Sequence, residues 1–233
     1  WWADEAKKYG VHFEQHDDRY ARTSEWLEVI DRLWKEDHFS IAGKYYRVED
    51  AIMQPKPVSQ PRPVIYAGGE SPAAKELIAT QCDAYVMHGD PPARVREKIA
   101  DMSELREQKG LPRMTFGVAA FSIVRDTERE AKRELERITD VKQFARGYDN
   151  YQQWLAGTNL DRKVSLDDYS VSNRGLASGL VGTPEQVQER VAEFEDAGVD
   201  LLLLQCSPQL EEMERFAEAV IQPRSSADSA AAA

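Results

Sequence analysis

The stretch Val64-Ile65-Tyr66-Ala67-Gly68-Gly69-Glu70-Ser71-Pro72-Ala73-Ala74 passes from β-branched and aromatic residues through two glycines into helix formers. A strand that turns through Gly68, Gly69, Glu70 and Ser71 into a helix leaves the first backbone N–H groups of that helix unpaired, with the positive end of its dipole behind them. Such a corner suits an anion. The same residues also read as a plain cap, with Ser71 at the N-cap and Pro72 at the first helical position. The corner alone does not choose between the two. His16 and Tyr20 lie four apart, so a helix begun by His16 sets both on one face, where the pair could hydrogen-bond a phosphate or sugar hydroxyl, or serve packing. His88 follows Tyr85-Val86-Met87 at the end of an apolar segment and reads either as a ligand contact or as a loop histidine on the surface. Arg174, in Ser172-Asn173-Arg174-Gly175, offers a guanidinium to an anionic or polar oxygen, or to the nearby Asp167 and Asp168.

No G-x-S-x-G nucleophile corner, no G-x-G-x-x-G fingerprint and no histidine cluster with metal-ligand spacing accompanies these residues. An anion corner without a nucleophile or metal of its own points to chemistry carried on a cofactor. The formal net charge of -11, from Lys+Arg 30 against Asp+Glu 41, disfavours nucleic acid or an anionic membrane as partner. Cys82 and Cys206 stand far apart, which argues against a disulfide scaffold and for a reducing, cytoplasmic setting. No apolar run approaches the roughly 18 residues of a membrane span. The chain opens on Trp1-Trp2, two aromatics that a true terminus rarely exposes, so upstream sequence is expected.

The elements that must position these residues follow from periodicity. Tyr20, Trp26, Leu27, Ile30, Leu33 and Trp34 recur at helical spacing within 19–35, and 38–48 alternates about Gly43-Lys44 as a hairpin. The prolines of 54–63 break both patterns. Beyond them the pattern predicts strand 63–67, helix 72–80, strand 83–87, helix 91–109, strand 114–124 and helix 127–138. An irregular insert occupies about 140–180, followed by helix 184–197, strand 199–204 and helix 209–221. Strands alternating with helices imply βα units on a parallel sheet, an α/β fold. Four such units are half of a (β/α)8 TIM barrel, which takes about 250 residues in full. The expected architecture is therefore the C-terminal part of such a barrel with inserts, its N-terminal strands missing. It forms one domain over 1–222, with a disordered, Ser- and Ala-rich tail over 223–233. In a barrel the strand C-terminal ends line one mouth, which gathers Gly68 to Ser71, His88 and Cys206-Ser207-Pro208.

The stretches YGVHFEQHDDRYARTSEWL, YYRVEDAIMQPKPVSQPRPVIYAGGES, DAYVMHGDPP, VSNRGLASGLVGTPEQV and GVDLLLLQCSPQLEEMERF resemble the bacterial-luciferase-like, reduced-flavin-dependent monooxygenases, and among them the branch that oxidises dimethylsulfone. The resemblance implies a barrel that binds reduced FMN (FMNH2) at its strand ends, and a separate NAD(P)H-dependent flavin reductase that delivers it. It also implies oxidation of a small organosulfur substrate with O2 through a flavin peroxide, dimethylsulfone giving methanesulfinate and formaldehyde, and a homo-oligomer, dimer or tetramer. By position it assigns the phosphate to Ser71 with Gly68, Gly69 and Glu70, and cofactor contacts to His16 and Tyr20. Arg174 becomes the insert arginine that closes over substrate and flavin; His88, which has no counterpart by resemblance, is read from its strand-end place as a substrate-side or proton-transfer group. The chain departs from the alkanesulfonate branch at Ala119 and Phe121, where that branch carries an arginine and a histidine, at Ser207 for a tyrosine and at His88 for a tryptophan. Loss of the cation suits a neutral sulfone. An alkanesulfonate enzyme, another flavin or deazaflavin oxidoreductase, or an inactive binding or assembly lobe remain the alternatives, and a half barrel by itself is expected to be inactive.

Overall fold

The computed structural model describes residues 3–140, 151–152, 155–156 and 175–224. A short helix α1 (Ala3–Lys8) precedes α2 (His16–Lys35), whose Leu27 and Val29 are buried. Helix α2 begins three residues earlier than its apolar period suggests, because the Arg19 N–H already donates to the Gln15 carbonyl at 3.1 Å. Strands β1 (Phe39–Ala42) and β2 (Arg47–Ala51) form the expected antiparallel hairpin, closed by Gly43 N–H to the Tyr46 carbonyl at 2.9 Å.

The βα units follow: β3 (Tyr66–Ala67) and α3 (Pro72–Gln81), β4 (Ala84–His88) and α4 (Pro92–Gln108), then β5 (Thr115–Phe121), β6 (Ile123–Val124) and α5 (Glu128–Thr139). After a 3-10 turn at Leu176–Ser178 come β7 (Val181–Gly182), α6 (Pro184–Asp196), β8 (Leu201–Gln205) and α7 (Gln209–Phe216), which runs on into a π turn at Ala217–Ile221. Side-chain caps mark several helix starts. Thr127 accepts from the Glu130 N–H, and Thr183 and Gln186 form a reciprocal capping box.

The main sheet has the order β3-β4-β5-β8, with β3 parallel to β4 (Tyr66 level with Ala84) and β5 parallel to β8 (Gly117 with Leu201 through Phe121 with Gln205). These strands follow one another in chain order without reversal. A doubly wound sheet reverses at a switch point, whereas successive winding is that of a (β/α)8 barrel, here a part of one.

The described residues gather into two compact units, Glu5–Val86 with Asp101–Thr115, and Met87–Ala100 with Ala3, Asp4 and the described residues from Phe116 onward. Ile78, Tyr85 and Met102 sit at the centre of the first, and Phe116, Val118, Leu180, Val187 and Phe194 at the centre of the second.

Several expected boundaries are corrected. The strand predicted over 63–67 shrinks to Tyr66–Ala67, since Pro61 and Pro63 have no N–H and the Ile65 N–H is taken by the Asp83 carboxylate at 2.7 Å. The strand predicted over 114–124 breaks at Ser122. Phe121 N–H turns to the Gly175 carbonyl at 3.2 Å, and Ile123 N–H to the Leu180 carbonyl at 2.9 Å, so β6 leaves β8 to pair with β7. Strand β7 lies outside the predicted elements, and the last helix widens into its π turn after Phe216. The tail from Ser225 and most of the insert lie outside the described residues.

Candidate functional site

In the unit that holds α2 and α3, the early start of α2 decides the His16 and Tyr20 geometry. Their rings share a face, with centroids 5.0 Å apart and planes at 59°. Tyr20 reaches the glycine corner. A Cβ built on Gly69 would lie 3.5 Å from the Tyr20 hydroxyl and 2.6 Å from the Cβ of Ala74, which is wholly buried. A Cβ on Gly68 would lie 2.9 Å from the Val86 carbonyl oxygen. Glycine is therefore required at both positions by close approach. Ser71 is the N-cap of α3, its hydroxyl accepting from Ala74 N–H at 3.2 Å, with Pro72 next. The cap reading thus holds as stated, and the structure adds a tyrosine hydroxyl beside it.

That hydroxyl has no hydrogen-bond partner among the described residues, while His16 places Nδ1 2.8 Å from Asp17 and keeps Nε2 clear of protein partners. The residues present fit a phosphate group: the Tyr20 hydroxyl and the N-terminal end of a ten-residue helix stand at a corner kept open by glycine, and the His16 ring packs against Tyr20.

The corner is braced by residues that sequence reading passed over. Arg62 forks onto both carboxylate oxygens of Asp83, through Nη2 at 3.0 Å and through Nη1, and its Nε lies 2.8 Å from Asp31 on α2. Asp83 also accepts from Ile65 N–H. Burial pushes the Asp83 carboxyl up, but the Arg62 guanidinium and the Ile65 N–H outweigh it and hold the group below the ordinary carboxylate range. Arg106, 8% exposed, donates to the Pro112 carbonyl at 2.6 Å and to Ala79 at 2.7 Å, closing the C-terminal end of α3. No local motif signals either arginine, because their partners lie 21 to 31 residues away or are backbone carbonyls.

At the start of α2, Lys44 lies 3.0 Å from Asp18 and donates to the Tyr45 hydroxyl at 2.8 Å, which itself donates to Asp18 at 3.0 Å. The hydrogen bonds from Lys44 and Tyr45 lower the Asp18 carboxyl, and those to Tyr45 and Asp18 raise the Lys44 ammonium. These groups and His12 to Gln15 line an open cleft of about 340 Å³.

In the other unit, His88 ends β4 with its side chain exposed and without a hydrogen-bond partner among the described residues. Behind it Gly89 is pressed against β5, where a Cβ would meet the Ala119 carbonyl oxygen at 2.5 Å and that of Gly175 at 2.7 Å. The Gly175 carbonyl accepts from Phe121 N–H at 3.2 Å and from the Ser178 hydroxyl at 2.7 Å. Arg174 itself lies outside the described residues.

Phe116, Val118 and Ala120 turn to the buried side of β5, leaving Gly117, Ala119 and Phe121 on the other face, level with Leu201, Leu203 and Gln205 of β8. Leu203 is 54% exposed on this open, uncharged face. Ser207 follows β8 and is exposed. Among the described residues no group of three or more His, Cys, Asp or Glu could hold a metal ion, and no helix is long and apolar enough to cross a membrane.

Comparison with known proteins places the chain. A family model described as luciferase-like monooxygenase matches residues 1–201. The FMNH(2)-dependent dimethylsulfone monooxygenases of Pseudomonas putida and Pseudomonas fluorescens (strain Pf0-1) are 30% and 31% identical to it, each alignment covering 95% of this chain and 62% of the relative. The chain thus spans less than two thirds of these relatives. Among solved structures, the long-chain alkane monooxygenase LadA matches with a TM-score of 0.76 at 20% identity, over 96% of this chain and 60% of that one. DmoA from Hyphomicrobium sulfonivorans matches at 0.71 and 20% identity, over 93% and 58%. At such identities these two likenesses speak for the fold.

Proposed function

The chain belongs to the luciferase-like monooxygenase family, and on that premise we propose that it is part of an FMNH2-dependent monooxygenase of a small organosulfur compound, dimethylsulfone. The sulfone, O2 and FMNH2 give methanesulfinic acid, formaldehyde, FMN and water. The observation that carries the reading is the Tyr20 hydroxyl standing at the Gly69 corner beside the Ser71 cap, with the His16 ring against that of Tyr20. Identity of 30% and 31% to two dimethylsulfone monooxygenases supports the substrate, as does the uncharged face around Ala119 and Phe121, which offers a sulfonate no cation.

Reduced FMN, when bound, supplies the electron pair that activates O2. The chain's own residues hold it and shape the substrate side. Backbone N–H groups of Gly69, Glu70 and Ser71, with the α3 dipole behind them, face the phosphate. Tyr20 would donate its hydroxyl proton to a phosphate oxygen, and His16 would offer Nε2 beside it. His88 would present its ring to the substrate from the end of β4, and Arg174, outside the described residues, is carried over from the resemblance as the insert arginine toward substrate and flavin. A separate NAD(P)H-dependent flavin reductase supplies the reduced cofactor, and the protein works in the cytoplasm as a homo-oligomer.

The test is a titration of FMN and of riboflavin into the wild-type protein and Tyr20→Phe, followed by flavin fluorescence. Tyr20→Phe weakens FMN about tenfold, the worth of one hydrogen bond to a charged oxygen, and leaves riboflavin unchanged. Equal FMN affinity in both proteins overturns the phosphate site. In a reductase-coupled assay for formaldehyde, a preference for methanesulfonate over dimethylsulfone overturns the substrate reading.

A further inference from the structure

The open face of β5 and β8 carries one polar side chain among Gly117, Ala119, Phe121, Leu201, Leu203 and Gln205. Gln205 stands level with Phe121 at the C-terminal end of β8, and its side chain is exposed. Its carboxamide has no hydrogen-bond partner among the described residues, although its backbone is fixed on both sides. The residue lies in register with Phe121, and its carbonyl accepts from Ser122 N–H at 3.0 Å. The rigid strand end fixes where this carboxamide starts from, and its N–H groups are available to a ligand.

On the far side of β5, His88 ends β4, and the Gly89 backbone against the Ala119 carbonyl brings that strand end level with Ala119. Strands β4 and β8 flank β5, so their axes stand about 9–10 Å apart, two interstrand spacings. Ala119, with only a methyl group between them, leaves a notch. A molecule of a few heavy atoms seated on Ala119 would have apolar contact beneath it and from Leu203 at the same level, with the Gln205 carboxamide diagonally across at the level of Phe121 and His88 at the end of β4.

We propose that Gln205 is a specificity-determining residue, its carboxamide N–H groups donating to an oxygen of a small neutral substrate seated on Ala119 between Gln205 and His88. The assignment rests on the sulfone reading above and deepens it. A sulfone is polar through oxygens that only accept, so an amide donor matches it without a counter-charge. An apolar face selects for the methyl groups and a fixed N–H selects for the oxygen. A carboxamide desolvated by the ligand and left without an acceptor then disfavours the sulfide analogue that lacks oxygen.

The experiment follows the side-chain NH2 resonance of Gln205, assigned by its loss in Gln205→Leu, while dimethylsulfone, dimethylsulfoxide and dimethyl sulfide are titrated into the protein. KM and kcat for dimethylsulfone are measured alongside for wild type, Gln205→Leu and Gln205→Glu. The resonance moves with the sulfone and the sulfoxide and stays in place with the sulfide. Both variants raise KM at least tenfold while kcat changes less than threefold, because the interaction is made in the ground state as well as in the transition state. A sulfone that saturates the protein without moving the resonance overturns the assignment, as does a Gln205→Leu KM within twofold of wild type. If dimethylsulfone is not oxidised but the sulfoxide moves the resonance, the sulfone reading falls and the role of Gln205 stands. A resonance unmoved by either oxygen-bearing ligand counts against Gln205 whatever is oxidised.

Discussion

Replacing Gly69 by alanine tests the corner on which the flavin reading depends. The new Cβ would stand 2.6 Å from the Ala74 Cβ, against an ordinary contact that begins at 3.4 Å. About 0.8 Å must therefore be found between the corner and the first turn of α3. Ala74 is wholly buried and cannot retreat freely, with Leu77 and Ile78 of the same helix buried beside it. Overpacking of this kind costs about 1–3 kcal/mol, which a urea midpoint at unchanged m reads directly. The same displacement moves the corner away from the Tyr20 hydroxyl, so FMN affinity falls by about tenfold, within the range a misplacement of roughly 1 Å produces. The decisive arm is the double variant. Ala74→Gly alone costs about 1 kcal/mol through its helix propensity, but in the Gly69→Ala background it removes the clashing atom. The two changes together then cost less than the sum of their separate effects by at least about 0.5 kcal/mol. Strictly additive losses, or a Gly69→Ala midpoint equal to wild type, would refute the steric argument.

Three further outcomes rest on the supporting structure. Arg106→Met leaves the Ala79 and Pro112 carbonyls without their donor and lowers stability by about 2–3 kcal/mol, measured by urea unfolding. Asp83 is held below its unfolded value, so its contribution is present above about pH 4 and is lost as the pH falls through the folded value; Asp83→Asn flattens stability against pH below about 4 and weakens the protein at pH 7. Native protein treated with a thiol reagent at neutral pH reacts at the half-buried Cys206, whose thiol is raised by partial burial and Glu212. The buried Cys82 reacts only on unfolding, and Cys206→Ser abolishes the native reaction.

Much of the architecture was legible in the chain because it is local. Helices 72–80, 91–109 and 127–138 end within one residue of where they form, since capping residues and prolines act on their neighbours. The Gly-Gly-Glu-Ser corner and the strand-end position of His88 follow from the βα period itself. Misplaced boundaries are those where a distant group took a backbone partner. The Asp83 carboxylate captured Ile65, and the carbonyls of Gly175 and Leu180 drew Phe121 and Ile123 away from a continuous strand.

Residue types, spacing and family therefore follow from the sequence by itself: an α/β chain, a Gly-Gly-Glu-Ser helix cap, a His-x3-Tyr pair and an uncharged strand at Ala119 and Phe121. Tertiary structure decided which of these meet. Helix α2 had to begin at His16 for the imidazole to share a face with Tyr20, and Gly69 had to lack a side chain for the Tyr20 hydroxyl to stand beside the corner. The register of β5 on β8 then set Gln205 level with Phe121, a relation between residues 84 apart that no local pattern encodes. Hydrogen-bond register and steric contact act across space, and those are the terms that convert a list of candidate residues into a site.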